Sequence, residues 1–217
     1  HRVIECIDES EERNAIIEFF NVINELKPSI IGGYNSANFD WHWIFERCKI
    51  LGLDPKKICK SLHPQHSFTR KDGMLKLANE VETYTQTSIW GYNVIDIIHA
   101  VRRAQAINSS IKAAGLKYIT KYINAESPSR VYIEHDNIGK LYLNKEEFWL
   151  NTQNGKYKKA DNPEYNNLDI KFPNVYKKVT GDKIVEMYLD DDLDETLKVD
   201  QEFNQGSFLL AAMIPTT

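Results

Sequence analysis

At 217 residues, with 42% hydrophobic and 27% charged side chains, the chain holds enough apolar material for one domain, or one domain with a large insertion. Its net charge of −4 does not suggest a protein that grips nucleic acid through a broad basic surface, and it is compatible with a site that holds metal through carboxylates. Three scattered cysteines (Cys6, Cys48 and Cys59) argue against a disulfide framework and fit a reducing compartment, and the longest apolar runs, such as SFLLAAMI, are too short to span a bilayer.

The opening HRVIECI lacks the apolar core of a signal peptide. It has no initiator Met, and both ends fall amid structured-looking sequence, so the chain reads as a piece of something longer. DESEERNAIIEFFNVINELKP puts Ile16, Phe19, Phe20, Ile23 and Leu26 on one helical face. Asp8 and Glu11 resemble a capping box, and Pro28 stops the helix. SIIGG reads as a short buried strand ended by Gly32-Gly33. A second helix starts near Asn38 to Asp40, turns Ile44, Phe45, Cys48 and Leu51 to one side, and stops at Gly52. Residues 54–73 read as loop. VETYTQTSIW and YNVIDII read as strands, the second ending near Asp96, with helices over 97–107 and 110–123. From Ser127 to Gly181 the character changes. Aromatics, lysines, Asn and Pro accumulate around short strand patterns, RVYIEH and KLYL. Residues 128–182 are expected to be a hairpin insertion in a core made of 1–127 and 183–217. A long helix follows from Asp182, and GSFLLAAMI reads as a last helix. Strands alternating with helices indicate an α/β domain.

Three carboxylates take positions of chemical interest. Asp40 begins a helix directly after a strand, where open α/β sheets place ligands. Asp96 ends another strand and reads as a hydrogen-bond acceptor. Asp192 lies four residues after Tyr188, so the two share a helix face. Hard ions such as Mg²⁺ take few carboxylates and several waters, and a pair of them can activate water against a phosphodiester. The plain alternatives are an N-cap aspartate and a solvated acidic helix face with Asp192 alone turned inward.

KPSIIGGYNSANFDWHWIFERC resembles the second exonuclease motif of family B DNA polymerases, an NxxxFD core after a Pro-x-Ile-Ile strand. YLDDD, Tyr188 to Asp192, is similar to the third motif, YxxxD, and YNVIDII to the strand following the second. The resemblance covers nearly the whole chain outside the insertion and looks like phage or plasmid members. It implies a ribonuclease H-like exonuclease fold, a mixed sheet flanked by helices, here N-terminally truncated. It implies metal-dependent removal of nucleotides from a single-stranded 3′ end, with Mg²⁺ or Mn²⁺ as cofactor. It makes Asp40 and Asp192 metal ligands, Tyr188 the group that orients the attacking water, and Asn35 and Phe39 the grip on the DNA end. The implied partners are single-stranded DNA and the remaining polymerase domains, in a bacterial host cytoplasm and not in a membrane.

Two features depart from the pattern. The first motif, Asp-x-Glu on a strand, has no equivalent here, because Asp8, Glu9 and Glu11 read as caps of the first helix. The expected site is therefore incomplete, and the piece alone is expected to be nearly inactive. His42 stands where the family often has Pro. Cys59, His63 and His66 have a spacing that permits a zinc corner but lack a fourth ligand, so they read as loop polarity. Trp41, Trp43 and Trp90 read as core or site wall. A non-catalytic module of the same fold, binding single-stranded DNA or packing on the polymerase body, is the alternative. An unrelated α/β domain with acidic surface clusters is the third reading.

Overall fold

The computed structural model describes residue 4 and residues 6–59, 68–77, 80–143 and 146–205. These form two compact units. The first comprises residues 4–119 and 199–205, and the second Thr120–Lys198. Helices α5 and α8, defined below, each cross the division in sequence.

In the first unit α1 runs Glu9–Leu26, and its start is fixed by side chains. Asp8 Oδ1 accepts from the amides of Ser10 and Glu11, and Glu11 Oε2 reaches back to the amide of Ile7, 2.7 Å away. That is a capping box displaced by one residue. Its buried stripe, Ile16, Phe20 and Ile23, packs into a core with Trp41, Phe68 and Tyr92. Phe68 is the hub: Phe45 stacks on it at 4.8 Å, and Phe20 meets it edge-on at 6.0 Å.

Strand β1, Ile30–Gly33, pairs in parallel with β4, Asn93–Asp96, so Gly33 and Asp96 end side by side. The expected strand is present but not buried, since Ile30 is 45% exposed; among the described residues β1 has β4 as its only ladder partner. Helix α2 covers Asp40–Ile50, and Gly52 at φ 64° ends the turn beyond it. The loop expected over 54–73 contains a short helix, α3 (Pro55–Ile58), and the start of β2 (Thr69–Leu77). Asp54 caps α3 by accepting from Lys56, with Pro55 at the first helical position, a start signal hidden by the helix's length. Strand β2 pairs antiparallel with β3, Glu80–Ser88. Helix α4 spans Ile98–Ile107, but the next helix, α5, begins only at Leu116 and ends at Tyr122. The Asn108 side chain accepts from the amide and hydroxyl of Ser110, which stabilises a turn instead of a helix over 110–115.

The second unit holds α6 (Ile138–Leu143), β5 (Glu147–Asn151), β6 (Tyr157–Lys159), α7 (Leu168–Lys171), β7 (Tyr176–Thr180) and α8, Gly181–Phe203. The three strands form an antiparallel sheet in the order β6-β5-β7. The strand patterns themselves fail: RVYIEH is irregular and KLYL lies in α6. Val131 and Ile133 are buried, yet the Val131 amide is given to the Asp191 side chain rather than to a ladder. Their alternation reflects burial of an irregular segment against a hydrophobic core with Phe148, Leu150 and Ile184. GSFLLAAMI lies outside the described residues. The α/β class holds. Among the described residues the strands form three small sheets rather than one extended mixed sheet.

Gly155 turns the β5–β6 hairpin at φ 66°, and a Cβ there would stand 1.9 Å from the Arg130 carbonyl oxygen. Backbone, not a flexible side chain, occupies that space. Gly155→Ala is expected to destabilise the protein by about 2–4 kcal/mol, combining left-handed strain with overpacking. A thermal melt within about 2 °C of the unchanged protein would contradict this packing.

Candidate functional site

The turn from Tyr34 to Phe39 joins the end of β1 to α2. Gly33 is required there, because an added Cβ would lie 2.6 Å from the Ser36 Cβ as the chain folds back. Asn35 adopts φ 57°, a conformation asparagine tolerates better than most residues. Asp96, at the end of the neighbouring strand, holds the turn by its amides. Oδ1 accepts from Asn35 at 2.7 Å and from Ile98 at 3.3 Å, and Oδ2 accepts from Ala37 at 2.9 Å. Arg70 on β2 donates to the Ala37 carbonyl at 3.0 Å, so the turn is tied through both an N–H and a C=O. The strand-end acceptor expected at Asp96 is thus present. Its partners, Asn35 and Ala37, lie within the NxxxFD stretch.

Phe39 is the N-cap of α2 and is 57% exposed, and Asp40 is the first helical residue and also exposed. Trp43, one turn beyond Phe39, is 47% exposed, so the start of α2 shows two aromatic rings at i, i+4 spacing. Trp41 is buried as expected, and Trp90 is exposed. The Asp40 carboxyl has a raised pKa. The surrounding protein partly desolvates it, its own backbone amide opposes that, and the Asp96 charge adds to it. Asp96 is also shifted upward by burial, against its three amide donors and the neighbouring His99.

In the second unit, Tyr188 and Asp192 share one face of α8. The Tyr188 ring is 8% exposed and belongs to the core, and burial, then the Asp192 charge, push its pKa up to about 12. Asp192 is not alone in turning inward. Asp191 Oδ2 accepts from the Val131 amide at 2.9 Å, and Glu195 is 1% exposed. Arg130, 2% exposed, ion-pairs with Asp192 and Glu195. Its Nη1 stands 3.1 Å from Glu195 Oε2 off the line of a hydrogen bond, so the contact is electrostatic. Desolvation first, and then Asp192 against the relief from Arg130, push the Glu195 carboxyl up to about 7. Two carboxylates share one buried guanidinium, which is why one of them holds its proton more tightly. Sequence reading missed Arg130 and Glu195. Glu195 was within reach, being seven residues after Tyr188 and three after Asp192 on the same stripe.

Asp40 in the first unit and Asp192 in the second are hard oxygen donors of the kind Mg²⁺ and Mn²⁺ accept with retained water. Among the described residues no three His, Cys, Asp or Glu side chains converge as a protein-built metal cage would need. Cys59 is buried, and His63 and His66 lie outside the described residues. The three cysteines are free, and among the described residues no helix is long and apolar enough to cross a membrane.

A model of the exonuclease domain of family B DNA polymerases matches residues 2–119, more than half of the chain. The DNA polymerase epsilon catalytic subunit of Aspergillus fumigatus is 42% identical over 50 residues, 23% of this chain and 2% of that protein. The DNA polymerase of Phaeocystis pouchetii virus is 22% identical over 144 residues, 62% of this chain and 13% of its own length. The DNA polymerase delta catalytic subunit of Arabidopsis thaliana is 24% identical over 98 residues, 45% of this chain and 9% of that protein. The chain thus matches only a small part of each of these relatives. A domain unrelated to this family is ruled out.

Proposed function

Since the chain belongs to the exonuclease domain family of family B DNA polymerases, we propose that it is part of a 3′–5′ proofreading exonuclease, hydrolysing phosphodiesters at a single-stranded 3′ end. One observation carries the reading. The Asn35–Asp40 turn, clamped by Asp96, presents an exposed ring and an exposed carboxylate at the end of a parallel strand pair. Asn35 and Phe39 hold the 3′ nucleotide by amide hydrogen bonding and ring contact. Asp40 and Asp192 each supply a carboxylate to Mg²⁺ or Mn²⁺, and the Tyr188 hydroxyl orients the attacking water. A divalent ion, when bound, activates that water and stabilises the leaving oxygen.

The fold is read as ribonuclease H-like, with residues 128–182 as a family-specific insertion. DNA and the remaining domains of a polymerase are its partners, and the cytoplasm of a phage or mobile-element host is its setting. A second reading, a non-catalytic module that binds single-stranded DNA or packs on the polymerase body, is favoured by one contact: Asp192 already has a counter-ion in Arg130. The test is release of mononucleotides from a 3′-labelled oligonucleotide by the polymerase that carries this domain. Release with Mg²⁺, lost in EDTA, is expected. Retention of the label with undiminished binding of the strand would favour the second reading.

A further inference from the structure

Arg130 lies outside the motifs legible in the sequence, yet it touches both members of the Tyr-x-x-x-Asp pair. Its Nη2 ion-pairs with Asp192 Oδ1, and its Cζ lies 5.8 Å from the centre of the Tyr188 ring. The other fork nitrogen faces Glu195 at 3.1 Å, and the Tyr132 ring covers the guanidinium at 5.2 Å. Its backbone is fixed from three sides. The Arg130 amide donates to the Ser127 carbonyl at 3.0 Å, the Val131 amide donates to Asp191, and Gly155 packs on the Arg130 carbonyl.

Helix α8 by itself places Tyr188 and Asp192 on one face but does not choose their rotamers. A buried ion pair is a poor source of stability, since apolar residues of similar volume do as well or better. What arginine alone supplies is a rigid planar fork, one arm of which hydrogen-bonds Asp192 while its charge also faces Glu195. The Asp192 side chain remains 29% exposed while one oxygen is held, so the fork fixes the carboxylate without sealing it off.

Resting on the exonuclease reading, we propose that Arg130 is a positioning residue, setting the rotamer of Asp192 and the plane of the Tyr188 ring for the reaction. Arg130→Lys in the full polymerase keeps the charge and loses the fork. Its exonuclease kcat is expected to fall about tenfold with KM for a 3′-labelled single strand unchanged, because positioning acts on the transition state. Binding of Mn²⁺, followed by loss of the free-ion paramagnetic signal, should weaken about threefold, and DNA synthesis should stay unchanged. A folded Arg130→Lys protein with kcat and Mn²⁺ affinity both unchanged would overturn the proposal. So would an equal loss of DNA synthesis, which marks general destabilisation. If Arg130→Lys does not fold, Arg130→Met with Glu195→Gln removes the buried charges together. The same loss of kcat is then expected, and an unchanged kcat overturns the assignment. An unsubstituted polymerase that synthesises DNA but releases no 3′ nucleotides would overturn the exonuclease reading and this inference with it. That failure is told apart because it precedes any substitution.

Discussion

Replacing Asp40 by Ala or Asn in the intact polymerase is expected to lower release of 3′ nucleotides by about a thousandfold or more and to leave DNA synthesis unchanged. The magnitude follows from the role. A carboxylate that holds a divalent ion contributes its whole charge in the transition state, and neither Ala nor the neutral amide replaces it. The plain alternative is an acid at a helix start, favourably placed against the helix dipole and worth about 0.3–1 kcal/mol of stability. Asp40→Asn separates the two. A helix-start role predicts a small stability change and intact exonuclease activity, whereas a metal role predicts an inactive, folded protein. Asp40 is exposed, and its carboxyl is shifted upward first by partial desolvation and to a lesser extent by the Asp96 charge. A cation at that point would relieve the repulsion.

Asp96→Ala is expected to be the most damaging change in the first unit that removes no proposed contact with DNA or metal. It strips the acceptor from three amides, those of Asn35, Ala37 and Ile98. Leaving a buried donor unpaired costs about 1–3 kcal/mol, and partial access of water to this half-buried site puts the total near 3–5 kcal/mol. Asn35 then has no reason to keep its left-handed conformation, so exonuclease activity should fall about a hundredfold even below the melting temperature. Asp96→Asn keeps one acceptor and turns an N–H₂ toward a remaining donor, so an intermediate loss is expected. The checks are a thermal melt and 3′-label release on the same preparations. A melt and a rate both unchanged in Asp96→Ala would show that the turn holds itself.

What could be read in advance followed the range of the interactions. Helix α1 was legible because its cap, its apolar stripe and its stop are all local. The NxxxFD turn was legible as a motif, and Asp96 as a strand-end acceptor. That Asp96 reaches back some sixty residues to Asn35 and Ala37 depends on the parallel pairing of β1 with β4, which no window of sequence contains. RVYIEH misled because alternating burial is the signature of a strand and also of an irregular segment whose amide goes to a side chain. Arg130 was invisible for the same reason: a lone arginine becomes a buried hub only once α8 passes beside it. Trp43 is expected in the core or a site wall because tryptophan is usually largely buried, and its i, i+4 relation to the exposed Phe39 is the sequence signal for the exposed position it takes.

The division of the chain has a consequence during synthesis on the ribosome. The first unit is discontinuous, completed by residues 199–205 after the whole of Thr120–Lys198 has been made. Phe203, in that late segment, lines a surface groove with Leu77 on β2 and Ala100 and Ile107 on α4. When α4 leaves the exit tunnel, its partner has not yet been translated. At about 5–20 residues per second, Phe203 follows Ile107 by on the order of 5–20 s. Over that interval the groove beside Leu77 and Ala100 lacks its Phe203 wall. Ile107 is still 88% exposed when folding is complete. The groove is therefore completed only after the second unit has been made, and slower translation of that stretch would lengthen the interval.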